Sequence, residues 1–150
     1  SGIRLEEDSE NPIMLLQDPK SFRFLPIWIG TIEAVSIAYA QEGYVHPRPQ
    51  THDLLIDIVE SLNASISEVC ITDIQEKTYF AEITLNTLEG NVTLSSRPSD
   101  AIALAIRSNS MITVDNGLFS NNSIILIDEN NEEIQEFKDF IDDVSPDDFS

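Results

Sequence analysis

The stretch Ser95-SSRPSDAIALAIRS-Ser108 decides how the rest of the chain must be arranged. Its body, Ala101 to Ile106, is Ala, Ile and Leu without a break. That composition predicts a helix buried on most sides, which neighbouring elements must wrap. Its head is different: a guanidinium, a hydroxyl and a carboxylate fall within four residues, Arg97 to Asp100. They lie where a helix has unpaired N–H groups and the positive pole of its dipole. Capping accounts for Ser99 and Asp100. It does not account for Arg97.

Working outward, "VTLSS" is a strand feeding this helix, and "MITV" and "SIILID" are short strands beyond it around a polar loop, "DNGLFSNN". Upstream, "ISEVCITDI" and "TYFAEITLN" alternate in character and are joined by the turn "QEK". "THDLLIDIVESLNA" predicts a helix capped by Thr51, with Leu54, Leu55, Ile58, Val59 and Leu62 at helical spacing. "TIEAVSIAYAQEG" predicts another, capped by Thr31, stopped by Gly43 and well buried. "GIRLE", "NPIMLLQD" and "FRFLPIWIG" are strands, and Pro26 marks the last for an edge or a bulge. "EEIQEFKDFIDDV" places Ile134, Phe137 and Ile141 along one face of an acidic C-terminal helix. The expected fold class is α+β: a mixed, mostly antiparallel sheet packed with three inner helices, plus that acidic helix. The expected division is a domain over residues 1–127 and an acidic helix and tail over 128–150.

The 150 residues are 41% hydrophobic and 23% charged, which is a globular composition. No apolar run has the length of a membrane span, so no membrane association is expected. The lone Cys70 excludes an internal disulfide and a cysteine cluster for zinc, and the cytoplasm is the expected compartment. The formal net charge of −19 excludes a broad basic face. Ten of the 27 acidic residues lie in 128–150, with Lys138 as the only cation there. Any anion site must therefore be a local cluster of arginines.

Two helix starts are built alike. Arg48-Pro49-Gln50-Thr51-His52-Asp53 and Arg97-Pro98-Ser99-Asp100 each put Arg-Pro ahead of a hydroxyl, an acid and an apolar helix. An arginine beside a helix N-terminus makes a compact anion site, with N–H donors on one side and a bidentate fork on the other. The plainer alternative pairs each arginine with Asp53 or Asp100 as a structural ion pair. His52 has the residue type for general acid/base work, and its plainer alternative is an exposed first-turn residue. Glu33 is a dipole partner at the start of its helix, or a carboxylate ligand.

"LPIWIGTIEAVSIAYAQEG", "RPQTHDLLIDIVESLNA", "VCITDIQEKTYFAEITL" and "SSRPSDAIALAIRSNSMITV" resemble, in order and spacing, the bifunctional nuclease domain family. The resemblance runs from about Ile3 to Val114, and it implies DNase and RNase activity. The family's Thr-His-Asp matches Thr51, His52 and Asp53, its Arg-Pro-Ser-Asp matches Arg97 to Asp100, and its Ile-Gly-x-x-Glu matches Gly30 and Glu33. On this reading His52, Asp53, Arg97 and Asp100 are the expected catalytic residues. Arg48, Thr51, Arg97 and Ser99 hold the phosphate, and Asp53, Asp100 and Glu33 are candidate ligands for Mg²⁺ or another divalent ion. The acidic charge favours short or single-stranded nucleic acid. The aromatic strand around Trp28 and its adjoining helix imply a homo-oligomer. The competing class is a non-catalytic, oligomeric binding or regulatory domain with an arginine-lined anion pocket.

Overall fold

The computed structural model describes residues 2–8 and 11–125. The expected acidic helix and the rest of the tail lie outside the described residues. Strands β1 (Ile3–Asp8), β2 (Asn11–Asp18), β3 (Arg23–Trp28) and β8 (Ile124–Ile125) form one antiparallel sheet in the order β1-β2-β3-β8. Strands β4 (Ser65–Gln75), β5 (Thr78–Thr87), β6 (Gly90–Ser96) and β7 (Met111–Val114) form the second, in the order β6-β5-β4-β7. Among the described strands, only β4 and β7 pair in parallel. The fold is therefore α+β and mostly antiparallel, with two sheets where the sequence reading allowed for one. β8 pairs with Arg23 and Phe24, so among the described residues Pro26 sits where β3 has an open side, as an edge proline should.

On the second sheet lies α3 (Pro98–Ser108), the helix of the opening stretch. Ala101, Ile102, Ala103, Leu104 and Ala105 are all buried, and the helix touches α1 (Thr31–Gln41), α2 (Thr51–Ser61), β4 and β5. Small alanines let these neighbours approach closely, while Ile102 and Leu104 fill the space between them. The run ends at Asn109, whose left-handed φ of 53° closes the helix.

Three expected hydroxyl caps are corrected. Each helix begins one residue or more before the hydroxyl: Gly30 is the N-cap of α1, Gln50 of α2 and Arg97 of α3. For α2 the reason is a capping box, in which Asp53 Oδ2 accepts from the Gln50 N–H at 3.0 Å. For α3 it is Pro98, whose fixed φ and missing N–H suit the first helical position. The expected burial of α1 is also corrected, because Ile37 is its one fully buried residue among those described. In α2 the inward face is His52, Ile56 and Val59, while Leu54, Leu55, Ile58 and Leu62 face outward. The polar loop "DNGLFSNN" contains a short helix, α4 (Asn116–Asn122), capped by Asp115 accepting from the Leu118 N–H.

The β4–β5 hairpin turns on Glu76 and Lys77, both with positive φ (51° and 66°). Non-glycine residues are strained in such a turn, which favours Asn-Gly. Replacing the pair by Asn-Gly is expected to stabilise the fold by about 1 kcal/mol, read as a higher thermal midpoint. An unchanged or lower midpoint would show that Glu76 and Lys77 make compensating contacts.

Candidate functional site

The start of α3 is tied to α1 and α2 by a continuous chain of polar contacts. Arg97 donates from Nε and Nη2 to the two oxygens of Asp100 (2.9 and 3.1 Å), and from Nη1 to Glu33 Oε1 at 3.0 Å. Asp100 Oδ1 also meets His52 Nε2 at 2.9 Å, and His52 Nδ1 meets Ser36 Oγ at 2.7 Å. Ser36 in turn accepts from Arg107, at 3.1 Å on both its carbonyl and its hydroxyl. Arg107 completes the chain by donating from Nε to Asp53 Oδ1 at 2.8 Å. Three helices are thus joined by side chains distant in sequence.

The histidine is held at both ring nitrogens. Ser36 Oγ, which accepts from Arg107, is the partner of Nδ1. His52 thus bridges Ser36 through Nδ1 and Asp100 through Nε2. It is only 8% exposed, and both ring nitrogens are engaged by the protein. Burial pushes the Asp100 carboxyl up, but hydrogen bonds from Arg97 and His52 outweigh it and hold the group below its ordinary range. Asp53 is held down in the same way: burial is opposed and overcome by Arg107 and the Gln50 N–H.

A lowered native carboxyl contributes stability that is present above its unfolded value and lost as pH falls through the native one. The acid-sensitive window therefore starts near 3.8 and extends below it. Wild type should exceed Asp100→Asn in denaturation midpoint at neutral pH, with the gap narrowing by about pH 3. A gap independent of pH would mean that the Asp100 charge contributes nothing.

Above this chain lies a cleft of about 730 Å³, lined by Trp28, Gly30, Glu33 and Phe80 and by Ser96, Arg97 and Ser99 among others. Arg97 is the cation among its lining residues, with 63% of the side chain exposed. Three of its five N–H donors are used on carboxylates, which leaves two. Ser99 is only 5% exposed, lines the cleft, and has no hydrogen-bond partner for its hydroxyl among the described residues. The N–H groups of Ser99 and Asp100 likewise have no acceptor there, since the first helical bond is Ala101 N–H to Arg97 O. Glu33 Oε1 is taken by Arg97, while Oε2 carries no hydrogen bond and lies over Gly30, where a Cβ would collide with it. Tyr79, whose hydroxyl burial pushes up to about 12, is a protonated wall of the same cleft.

The expected site residues therefore separate. Glu33, Arg97, Asp100, His52 and Asp53 belong to one connected chain, and Glu33, Arg97 and Ser99 line the cleft. Arg48 and Thr51 are exposed and do not line it, so the two arginine-bearing helix starts meet through His52 and not through a shared opening. Sequence reasoning missed Ser36 and Arg107, which hold the chain together, and Phe80 at the cleft's edge. Among the described residues no group of three or more His, Cys, Asp or Glu is placed to hold a metal ion. Asp53, Asp100 and Glu33 each spend an oxygen or more on an arginine, so they do not fit as a shared ligand set. No helix among the described residues is long and apolar enough to cross a membrane.

The bifunctional nuclease domain model matches residues 14–126, a span containing the whole cleft apart from Asn11. The chain belongs to that family. An uncharacterized protein of Mycobacterium tuberculosis (strain H37Rv) is 40% identical over 157 residues, covering 99% of this chain and 94% of that protein. Bifunctional nuclease 1 of Oryza sativa subsp. japonica is 24% identical over 129 residues, covering 83% of this chain and 39% of the rice protein. The bifunctional nuclease domain therefore supplies both sheets and all three long helices of the described structure, save β1 and the first residues of β2.

Proposed function

We propose that this bifunctional nuclease domain hydrolyses phosphodiester bonds of short or single-stranded DNA and RNA in the cleft at the start of α3. The observation that carries the reading is Ser99. A buried hydroxyl without a partner, beside two free N–H groups and an arginine with spare donors, matches what a phosphate needs. Asp100 and Glu33 clamp the Arg97 guanidinium, and His52 fixes Asp100 in turn. His52, Asp53 and Asp100 are thus positioning residues, acting through Arg97. Phe80, partly exposed at the rim, offers a face for a base to stack on. The acidic body opposes duplex binding, which leaves single strands whose backbone reaches one local anion site. The lone Cys70 thiol suits a reducing compartment such as the cytoplasm.

The chemistry assigned to the cleft is direct attack by water. Glu33 Oε2 takes a proton from water, whose oxygen adds to phosphorus held by Arg97, Ser99 and the helix N–H groups. The bond to the leaving sugar oxygen breaks, and that oxygen is protonated by solvent. No step is assigned to a metal ion, because the carboxylates do not form a ligand set; the rate is expected to survive excess chelator.

The test is cleavage and binding of short single-stranded DNA and RNA by the full chain and by Ser99→Ala. Losing one hydrogen bond to a charged phosphate should weaken binding at least about tenfold. Wild-type binding by Ser99→Ala would remove the phosphate site. The second reading, a non-catalytic anion-binding domain, draws on one observation: both His52 nitrogens and both paired acids are already satisfied within the protein. It predicts that Ser99→Ala weakens binding while wild type cleaves nothing.

A further inference from the structure

Among the described strands each sheet has two edges, and three of these four edges carry features that keep another strand off. β1 holds Arg4, Glu6, Glu7 and Asp8 among its six residues, β7 has only four residues, and β8 has two. β6 has none of these devices. Its seven residues, Gly90 to Ser96, include no charge and no proline, and they pair with β5 without a bulge. Its outer edge meets no strand among the described residues.

Its side chains are also left half covered. Val92 and Leu94 lie opposite Leu85 and Ile83, on the core side of the sheet, yet they are 44% and 47% exposed. Asn91, Thr93 and Ser95 take the other side. That is the alternation of a strand with one covered face, at an edge where the cover stops.

Charge and register say what completes the edge. A chain of net charge −19 repels a second copy over most of its surface, whereas β6 lets two copies meet without like charges. A twofold axis requires a patch that complements itself. Thr93 is the midpoint of β6, so an antiparallel pair centred there overlaps along the whole strand. Val92 then faces Leu94 of the other copy, Asn91 faces Ser95, and Glu89 falls level with Arg97. Glu89 has no cationic partner among the described residues. Parallel pairing would instead set Glu89 beside Glu89 and Arg97 beside Arg97.

We propose that two copies of this chain join edge to edge through β6, antiparallel about Thr93, merging two four-stranded sheets into one. The far edge on each side is then the short β7, so growth stops at two copies. Ser95 and Ser96 also line the cleft, so the β5–β6 turn of the other copy stands beside it. The proposal stands independently of any nuclease activity.

The test is sedimentation equilibrium of the full chain, with circular dichroism to confirm folding. One strand pair is a small interface, so wild type should dimerise with a dissociation constant on the order of 10–100 μM. Leu94→Lys, at a half-exposed position, should be folded and should raise that constant about tenfold. The added positive charge lowers the repulsion between two acidic chains, so a general charge effect would act the other way. Thr93→Lys sets two ammonium groups opposite each other and should weaken the pair about threefold. Asn91→Lys faces Ser95 and should not weaken it. A wild type that is monomeric throughout this range, or a Leu94→Lys dimer as tight as wild type, overturns the interface. Asn91→Lys as weak as Thr93→Lys overturns the register.

Discussion

Replacing Arg107 by Ala is expected to cost about 3 kcal/mol of folding stability, the largest loss of any single polar residue here. Only a tenth of its side chain is exposed, and it makes contacts on three helices at once. It donates to Asp53, to the Ser36 carbonyl and hydroxyl, and to Ala103 O within its own helix. Removing it leaves the Asp53 charge without its cation and takes one donor from each of two Ser36 oxygens. Breaking a buried pair from one side costs roughly 3–5 kcal/mol, and the lower end applies because Asp53 is partly solvated. Arg107→Lys keeps the charge but loses the fork, so it should recover only part of the loss. Denaturant unfolding of the three proteins measures this. A loss below about 1 kcal/mol for Arg107→Ala would mean that water replaces the guanidinium freely.

That residue also shows where sequence reading stops. The burial of α3 was legible because Ala, Ile and Leu continue through a whole turn and a half, which no exposed helix tolerates. The arginine at its head was legible because capping left it unexplained. Arg107, at the polar end of the same helix, looks like an ordinary C-terminal cation favoured by the dipole. Its partners, Asp53 and Ser36, are 54 and 71 residues away, and only the packing of α1 and α2 on α3 brings them together. Local similarity misled in the other direction: Arg48 shares the Arg-Pro head, yet Gln50 and Asp53 close their own capping box and leave Arg48 outside. The α2 leucines have the right period for a core. Periodicity marks an apolar face, not the side that turns inward, and here the inward positions belong to His52, Ile56 and Val59.

Glu33→Gln is expected to lower the turnover of single-stranded nucleic acid by about 10²–10⁴-fold while leaving its affinity unchanged or improved. The variant removes the proton acceptor, yet its amide oxygen can still accept from Arg97 Nη1, so the guanidinium keeps its place. Losing one negative charge beside the phosphate site cannot weaken binding of an anion. A loss of turnover and affinity together would instead mark Glu33 as a support for Arg97. Gly30→Ala displaces the same carboxylate in another way, because its Cβ would collide with Oε2 and crowd the carboxyl carbon at 3.2 Å, shifting with them the Oε1 that Arg97 holds. The collision is with the end of a flexible side chain, so the fold should be unaffected while turnover falls. Arg97→Ala should differ from both, losing affinity and turnover together, since it removes the cation of the phosphate site. If Glu33→Gln and Gly30→Ala cleave at the wild-type rate, Glu33 is not the base, and the water must be activated by another group in the cleft.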